Sequence, residues 1–503
     1  MVKTVPRAVA CKEKYMKLVN LANPSLPVRE QRLGSIINYD GTAADLAAQS
    51  REGRLRDRAC SFTQVSSCAS SCAVCLLSLI QDAAVVNHGP LGCSGDFSAF
   101  NLVHRYGLVK RNQAAANVRM VSSNLGESDA IFGGETKLEQ AIRDAFARFN
   151  PKVIFVTASC ASAITGEDID ALTLRLEEEL GVPIGTVHCE GFRSKVWTTG
   201  FDAAYHAILR KVVKPPREKH PDVVNVITFW GQDVFSELFA RLGLKANLVV
   251  PFASVEQLRH LSESAATVQM CSTLGTYFAA GLEELYGVAE VKAPPPYGLA
   301  GTDAWLRALA KVTGKETEVE ALIADEHAAI ADELGELREK LRGLRGYVAA
   351  GSVHGHSLSA VLRELGMEVA GSCFWHHDAR FDNNDPNADS LQHLVKSYGD
   401  LPVSICNKQA YEMINQLRRV KPDVFVVRHP GMAVWGGKLG IPTFLVEDEH
   451  YSLAYKGLLR FGHRIFDAVN NPSFYRNLSR HARLPYTEWW LKQKSNVFLG
   501  AEQ

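Results

Sequence analysis

The chain has 503 residues, of which 46% are hydrophobic and 22% charged, so it is long enough for about three domains with substantial apolar cores. Lysine plus arginine and aspartate plus glutamate both total 55, so no global charge favours nucleic acid or a membrane surface as a partner. No run of about eighteen apolar residues is present, and the first twenty residues lack the apolar core of a signal peptide. We therefore expect a cytoplasmic protein, in which the eleven cysteines are more typical of metal ligands, reactive thiols or buried small residues than of disulfides.

Four segments are predicted along the chain. Residues 1–57 are mixed and polar, which indicates either an arm that wraps another surface or a partly ordered tail. Short apolar runs then alternate with amphipathic segments over 58–216, over 217–345 and over 346–503, which also carries a C-terminal arm. This alternation predicts an α/β fold with three Rossmann-like, doubly wound parallel-sheet domains. Because no unit has G-x-G-x-x-G after its first strand, and no P-loop motif occurs, neither a nicotinamide cofactor nor ATP is expected to bind this chain through such a motif.

The spacing of apolar residues along the chain predicts the individual strands and helices. In the first unit the sequence predicts strands at 118–122, 152–157 and 183–189, with helices at 137–149 and 168–180. The second unit has predicted strands at 223–230 and 246–250, and a charged helix at 316–345 bridges it to the third. The third unit has a predicted helix at 357–365 and strands at 346–351, 368–374, 403–406, 424–427 and 442–447.

Three cysteines lie in contexts that suit a ligand. Cys160 follows the predicted strand 152–157, at the carboxyl end where open α/β sheets place their ligands. Cys93 closes a glycine-rich turn that lets backbone approach a cluster closely, and Cys60 lies in an earlier loop in which Cys68 or Cys72 could replace it. Thiolates suit iron–sulfur clusters, and three from one chain leave coordination to be completed by a second subunit. Four other cysteines are interpreted as small buried residues: Cys11, Cys75, Cys373 and Cys406.

Histidines gather after the predicted strands of the third unit. They are His354, His356, His376, His377, His429 and His450. One such histidine is ordinarily structural, but the repeated placement predicts a polar pocket at the ligand edge of the sheet. Imidazoles there can ligate metal or deliver protons near neutral pH, and Cys271 of the second unit could face the same pocket.

An ordered set of motifs gives the chain a family resemblance. The motifs are Arg58-Ala59-Cys60-Ser61-Phe62, His88-Gly89-Pro90-Leu91-Gly92-Cys93, Gly133-Gly134-Glu135-Thr136-Lys137-Leu138, Ser159-Cys160 with Gly166-Glu167-Asp168-Ile169, and Cys189-Glu190-Gly191-Phe192-Arg193. In this order, collinear over about residues 58 to 470, they resemble the catalytic α subunit of nitrogenase and nitrogenase-like reductases.

The resemblance implies two metal clusters. In that family three α-subunit cysteines share an 8Fe-7S P-cluster with the β subunit. The matching positions are Cys60, Cys93 and Cys160, with Cys68 as the alternative to Cys60. The family's buried cofactor is ligated by one cysteine, which corresponds to Cys271. In an alignment without a gap, the histidine ligand of that cofactor corresponds to Glu447. His450 could supply the imidazole only if the loop shifts.

The departures from the nitrogenase pattern bear on the substrate. Nitrogenases that reduce dinitrogen carry a glutamine and a histidine beside the cofactor, where this chain has Trp197 and Phe201. An expected arginine corresponds to Asn101, and basic residues near the cofactor's organic acid correspond to His354 and His356. An aromatic wall in place of these donors and charges favours a larger, less polar substrate.

This pattern resembles methylthio-alkane reductases, nitrogenase-like enzymes that cleave carbon–sulfur bonds of volatile compounds such as dimethyl sulfide. The resemblance implies a buried 8Fe-9S-carbide cluster without molybdenum, vanadium or homocitrate. It also implies an α2β2 heterotetramer and an ATP-dependent 4Fe-4S reductase homodimer as electron donor. Three other interpretations stay open: an alternative dinitrogen-reducing nitrogenase, a cofactor-assembly scaffold and, less favoured because Cys271 is retained, a relative of dark-operative chlorophyllide reductase.

Overall fold

The computed structural model describes residues 19–56, 68–95, 97–228, 233–380, 388–406, 410–446 and 452–493. Three mainly parallel sheets flanked by helices follow one another along this chain, with one antiparallel edge strand of the third sheet supplied by the N-terminal arm. The predicted α/β fold with Rossmann-like units is confirmed. Across these described ranges, none of the helices combines the length and apolarity that crossing a membrane requires.

The first unit contains a four-stranded sheet in the order β4-β3-β5-β6. Its strands are β3 (Ala83–His88), β4 (Met120–Ser122), β5 (Val153–Ala158) and β6 (Ile184–Val187). Its helices are α3 (Ala69–Ser78), α4 (Phe97–Lys110), α5 (Glu127–Phe132), α6 (Glu135–Phe149), α7 (Cys160–Thr165), α8 (Ile169–Leu180) and α9 (Thr199–Lys211), with a 3-10 helix at Leu91–Ser94. Every residue of β3, β5 and β6 is buried, because helices cover both faces of a parallel sheet.

One element of this unit differs from the sequence interpretation. The stretch that holds Cys68 and Cys72 is not a single loop, because α3 begins directly after Cys68. Cys72 lies inside this apolar helix and packs into the core with 5% of its surface exposed. Cys68 alone of the two remains in an extended conformation at the helix start.

The second unit has a parallel sheet in the order β10-β9-β7-β8. Its strands are β7 (His220–Ile227), β8 (Lys245–Val249), β9 (Ser264–Gln269) and β10 (Ala289–Glu290). Its helices are α10 (Ser236–Arg241), α11 (Val255–Arg259), α12 (Ser272–Tyr286), α13 (Gly298–Thr313) and α14 (Glu316–Leu341), with a 3-10 helix at Leu261–Glu263. The long charged helix is thus confirmed as α14, whose apolar residues bury one face against α13 and α19.

The third unit has a six-stranded sheet in the order β16-β15-β11-β12-β14-β2. Its own strands are β11 (Arg345–Ala350), β12 (Glu368–Phe374), β13 (His377–Asp378), β14 (Pro402–Cys406), β15 (Val424–Val427) and β16 (Thr443–Leu445). Its helices are α15 (Ser352–Glu364), α16 (Ser390–Tyr398), α17 (Ala410–Val420), α18 (Pro430–Leu439), α19 (Ala454–Asn470), α20 (Ser473–His481) and α21 (Glu488–Lys492). Helix α15 begins five residues before its predicted start, which places His354 and His356 on a helix.

The described part of the N-terminal arm packs on the protein itself. It contains α1 (Arg29–Leu33), β1 (Ser35–Ile36), β2 (Asn38–Thr42) and α2 (Ala43–Arg51). Strand β2 adds an antiparallel edge to the third sheet beside β14, and β1 pairs with β13. The arm therefore belongs to the third unit's sheet as well as preceding the first unit.

A buried arginine of this arm contacts all three units. The Arg29 side chain is 1% exposed, and its Nε and Nη2 donate to Asp202 of α9 at 2.7 and 2.8 Å. Its Nη1 donates to Asp378 of β13 at 3.3 Å, and Nη2 also donates to the carbonyl of Thr273 in α12. Arg32 donates to Asp202 as well, so two guanidinium groups compensate two buried carboxylates.

Replacing Arg29 with methionine is expected to lower the free energy of unfolding by about 3–5 kcal/mol, because one partner of a buried ion network is removed and the carboxylates stay buried. Arg54→Met is the matched control: Arg54 pairs with Glu52 on the surface, where both side chains are 55% exposed, and its loss should cost less than about 1 kcal/mol. Denaturant unfolding of the two variants measures the difference. Equal costs for both would contradict a role for Arg29 in joining the units.

Candidate functional site

Three cysteine side chains meet at one edge of the first sheet. Strands β3 and β5 are parallel neighbours with His88 paired to Ala158, so the turns that follow them emerge side by side and carry Cys93 and Cys160. An ideal Cβ built at Gly191 would lie 3.3 Å from the sulfur of Cys68 and 3.5 Å from that of Cys160. These two sulfurs therefore flank a single glycine.

The cysteine cluster is open to solvent and electrostatically coupled. Cys68 and Cys93 are exposed, and Cys160 is half-buried. Partial burial raises the pKa of Cys93, and the neighbouring thiolates of Cys68 and Cys160 raise it further. Of the predicted alternatives, the structure thus brings Cys68 to the other two cysteines, whereas Cys60 lies outside the described residues.

A buried histidine–glutamate pair links the segment that carries Cys93 to the segment that carries Cys160. His88 ends β3, and its Nε2 lies 2.5 Å from Oε2 of Glu167, which follows α7. The other ring nitrogen contacts the Ser123 hydroxyl at 2.9 Å, and Glu167 also accepts from the backbone N–H of Gly134 at 2.7 Å. Burial disfavours the Glu167 carboxylate, but these hydrogen bonds dominate and lower its pKa from the usual value. The pair was missed from the sequence because its members are 79 residues apart.

The second candidate ligand, Cys271, lies where the three units meet. It is 5% exposed and adopts an extended conformation immediately before α12. Burial raises the pKa of its thiol, while hydrogen bonds from the Leu274 and Thr273 backbones and the Thr273 side chain, together with the charge of Arg428, oppose that rise. Arg29 also interacts electrostatically with this sulfur.

Three aromatic side chains, Trp197, Phe201 and Trp375, belong to the same buried apolar cluster as Cys271. The Trp197 ring lies edge-on to Phe201 at 6.0 Å and to His429 at 5.4 Å between centroids. The ring of Trp375 closes the other side of His429 at 6.2 Å. The indole Nε1 of Trp197 is buried and has no hydrogen-bond partner among the described residues. A buried donor without a protein partner is available to a bound group.

Two of the third-unit histidines, His354 and His356, lie in different surroundings. His354 and His356 are two residues apart on α15 and so point to different sides of the helix. The Nδ1 of His354 lies 2.8 Å from the Tyr297 hydroxyl, near Arg428 and His429. The Nδ1 of His356 instead lies 2.9 Å from the Ser390 hydroxyl.

Burial sets the protonation of these imidazoles. It holds the pKa of His354 well below its usual range, and the charges of Arg428 and His429 add to the effect. It also lowers the pKa of His429 to about 3, so both rings are neutral at physiological pH. Within the described ranges, no three His, Cys, Asp or Glu side chains converge closely enough to hold a single metal ion.

Other predicted site residues have a structural role or lie elsewhere. Asn101 joins α4 to the start of β4, since its side chain donates to Asn117 and accepts from the Val118 N–H, both at 3.1 Å. Glu447 and His450 lie outside the described residues. Sequence reasoning missed Arg428, although it follows a predicted strand directly, as His429 does. That placement could have identified it.

Comparisons with known proteins agree with this architecture. A family model described as nitrogenase component 1 type oxidoreductase matches residues 68–470, a span that begins at Cys68. The nitrogenase iron-molybdenum cofactor biosynthesis protein NifE of Methanococcus maripaludis is 26% identical over 430 residues, which cover 81% of this chain and 84% of that protein. The nitrogenase molybdenum-iron protein alpha chain of Clostridium pasteurianum is 24% identical over 461 residues, covering 80% and 86%.

A solved structure shares the fold. The structure titled Nitrogenase Cp1 at pH 5 superposes with a TM-score of 0.69 at 22% sequence identity, covering 86% of this chain and 92% of that one. Since the family model spans well over half of the residues, the chain belongs to the nitrogenase component 1 type oxidoreductases.

Proposed function

We propose that the chain is the catalytic α subunit of a nitrogenase-like reductase that cleaves carbon–sulfur bonds of volatile methylthio-alkanes. The observation that carries the proposal is the aromatic wall of Trp197, Phe201 and Trp375, which belongs to the same buried apolar cluster as Cys271. The imidazoles along this wall are neutral because burial lowers their pKa. A surface of this kind favours a small, uncharged and weakly polar substrate such as dimethyl sulfide.

The cysteine cluster fits a shared iron–sulfur cluster. Cys68 and Cys160 flank a glycine whose missing side chain leaves the space between the two sulfurs open. Thiolate ligands suit such a cluster, and the exposure of Cys68 and Cys93 leaves room for ligands from a partner. We infer that Cys68, Cys93 and Cys160 hold an 8Fe-7S cluster together with a β subunit in a cytoplasmic α2β2 complex.

The Cys271 region fits a buried anionic cluster. Its thiol is surrounded by apolar side chains, yet the charge of Arg428 and the hydrogen bonds of Thr273 and Leu274 favour the thiolate that ligates metal. The Trp197 indole N–H, which has no hydrogen-bond partner among the described residues, would be a candidate donor to such a cluster. We infer that Cys271 holds an 8Fe-9S-carbide cluster without molybdenum, vanadium or homocitrate, and that Glu447 or His450 completes its ligation.

The iron–sulfur clusters and the side chains of the protein would contribute different parts of the chemistry. When bound, the clusters supply electrons that an ATP-dependent 4Fe-4S reductase protein delivers. Dimethyl sulfide then takes up two electrons and two protons, the bond between sulfur and one methyl carbon breaks, and methane and methanethiol leave. The chain excludes water with its aromatic wall, and Trp197 and Phe201 orient the thioether. Protons arrive through polar side chains, with His354, His356 and His450 as the predicted donors.

A cofactor-assembly scaffold is the second candidate. It is favoured by one observation, that this chain is as similar to a cofactor biosynthesis protein as to a molybdenum-iron alpha chain. A scaffold would turn over slowly or not at all and would transfer its cluster to an empty nitrogenase. A dinitrogen-reducing enzyme, whose proton route has moved to another histidine, would instead produce ammonia.

The decisive assay supplies the anaerobically purified complex with its reductase protein, ATP and either dimethyl sulfide or dinitrogen. We expect methane and methanethiol in equal amounts from dimethyl sulfide, with little ammonia from dinitrogen. Headspace gas chromatography and an ammonia assay measure both. Ammonia as the main product would replace the proposal with a nitrogenase, and no product from either substrate would replace it with the scaffold.

Trp197→Gln is expected to shift the preference among thioethers by about tenfold or more, because the wall loses apolar area and gains a polar amide. The ratio of rates for dimethyl sulfide and a bulkier ethyl methyl sulfide measures the preference. Trp489→Gln is the matched control, since Trp489 is 56% exposed on α21. If Trp197→Gln leaves rates and product ratio as in the control, Trp197 does not shape the pocket.

The choice between Cys60 and Cys68 is tested by replacing each with alanine. Because Cys68 lies with Cys160 at Gly191, Cys68→Ala should lose most of the iron of the shared cluster and its electron paramagnetic resonance signal. Cys60→Ala should retain both. The reverse result would assign the ligand to Cys60 and would leave the remainder of the proposal standing.

A further inference from the structure

Three of the sequence motifs meet at one carboxylate, that of Glu167. Its Oε1 accepts from the backbone N–H of Gly134 at 2.7 Å and from the Thr165 hydroxyl at 2.9 Å. Its Oε2 lies 2.5 Å from Nε2 of His88, and the Glu167 and His88 side chains are 8% and 0% exposed. The motifs that contain His88, Gly134 and Glu167 are far apart in the sequence, and this carboxylate joins them in the folded chain.

The glycine at position 134 permits this close approach. An ideal Cβ built there would lie 3.2 Å from Oε1 of Glu167 and 3.2 Å from Cε1 of His88, and it would overlap the Leu125 side chain. A larger residue would therefore push the carboxylate away from the imidazole. The three motifs supply parts that fit one another: an imidazole, a carboxylate and a glycine that leaves room for both.

The same carboxylate is connected to both segments that carry cysteines. His88 ends β3, and the turn after it leads to Cys93. Thr165 is the last residue of α7, the short helix that begins with Cys160. Glu167 therefore holds the C-terminal end of α7 against the end of β3, and the positions of both cysteines depend on that contact.

Close packing limits how the two segments can shift relative to each other. The Ser159 N–H donates to the carbonyl of His88 at 3.2 Å, and an ideal Cβ at Gly89 would lie 2.7 Å from both Cβ and Oγ of Ser159. Oγ of Ser123 accepts from the Gly89 N–H at 3.2 Å and lies 2.9 Å from Nδ1 of His88. These contacts fix the start of each turn, and the carboxylate of Glu167 fixes the end of α7.

We propose that Glu167, anchored by His88, is a positioning residue that presets the spacing of Cys93 and Cys160 for the shared cluster. The inference rests on one part of the proposed function, namely that these cysteines ligate an iron–sulfur cluster, and not on the substrate. A rigid cluster accepts its ligands in one geometry, so ligands that are held in place beforehand bind it more tightly. Glu167 itself acts only as a hydrogen-bond acceptor and ligates no metal.

The first readout is the spectroscopic signature of the shared cluster in the purified complex. Glu167→Ala should reduce its electron paramagnetic resonance signal by about tenfold or more, because the end of α7 is no longer held. Glu167→Gln should retain the signal, since the amide oxygen can accept from Gly134 and Thr165 while the amide N–H donates to the imidazole. Equal loss in Glu167→Gln would show that the charge and not the position matters, and would overturn the proposal.

The second readout needs neither a cluster nor turnover. The full-length chain, freed of iron with a chelator, is treated with iodoacetamide, and peptide mass spectrometry follows alkylation of the half-buried Cys160. Glu167→Ala and His88→Ala should speed this alkylation about threefold or more, because a segment that has lost its contacts opens more often. Glu167→Gln should restore the slow rate.

Asp168→Ala is the matched control. Asp168 is the neighbour of Glu167, but its side chain accepts from the Ala171 N–H at 3.0 Å and caps α8. Its loss should destabilise a helix end and leave the cluster signal and the Cys160 alkylation unchanged. Circular dichroism identifies variants that fail to fold. Should Glu167→Ala be one of them, His88→Ala and Glu167→Gln carry the comparison.

The outcomes separate this inference from the proposed function. If dimethyl sulfide is not reduced but both readouts respond to Glu167→Ala and not to Asp168→Ala, the positioning role stands and the substrate assignment fails. If the unmodified complex gives no cluster signal, the cluster assignment fails, and the alkylation rate alone decides whether Glu167 holds the two segments. Equal alkylation rates in Glu167→Ala, His88→Ala and Asp168→Ala overturn the positioning role whatever the substrate.

Discussion

One buried guanidinium fixes how the three units sit around Cys271. Arg29 reaches carboxylates on α9 and β13 and a carbonyl at the start of α12, which lies 244 residues further along the chain. Charges this deeply buried persist only when they are paired, so the arm cannot detach without leaving Asp202 and Asp378 uncompensated. The Cys271 site and the aromatic wall draw on more than one unit, and both therefore depend on this contact.

The fold could be predicted from the sequence wherever burial on both faces of a sheet leaves a continuous apolar run. Strands β12 and β15 have the predicted bounds, and α6, α8 and α14 lie within a few residues of theirs. The start of α15 was missed because its first turn contains Ser352, His354 and Gly355 rather than an amphipathic repeat. The role of β2 was also missed, since pairing with a strand more than 350 residues later leaves no local signal.

The candidate site, like the fold, could be predicted from the sequence only in part. Strand-end placement correctly brought Cys93 and Cys160 to one sheet edge, because neighbouring parallel strands end together. The choice between Cys60 and Cys68 needed tertiary information, namely that Cys68 and Cys160 approach the same glycine. The loss of positive charge inferred near the cofactor was incomplete, because Arg29 and Arg428 both interact with the Cys271 sulfur. Neither arginine occupies a position at which a motif comparison would seek it.

This charge distribution bears on what the Cys271 region can accept. Arg29 is paired with two carboxylates, and the charge of Arg428 favours the Cys271 thiolate. A resident anionic cluster would be stabilised by that charge. A second anion would meet only the ring edges of Trp197 and Phe201 and the neutral imidazole of His429. An uncharged thioether needs no counter-charge.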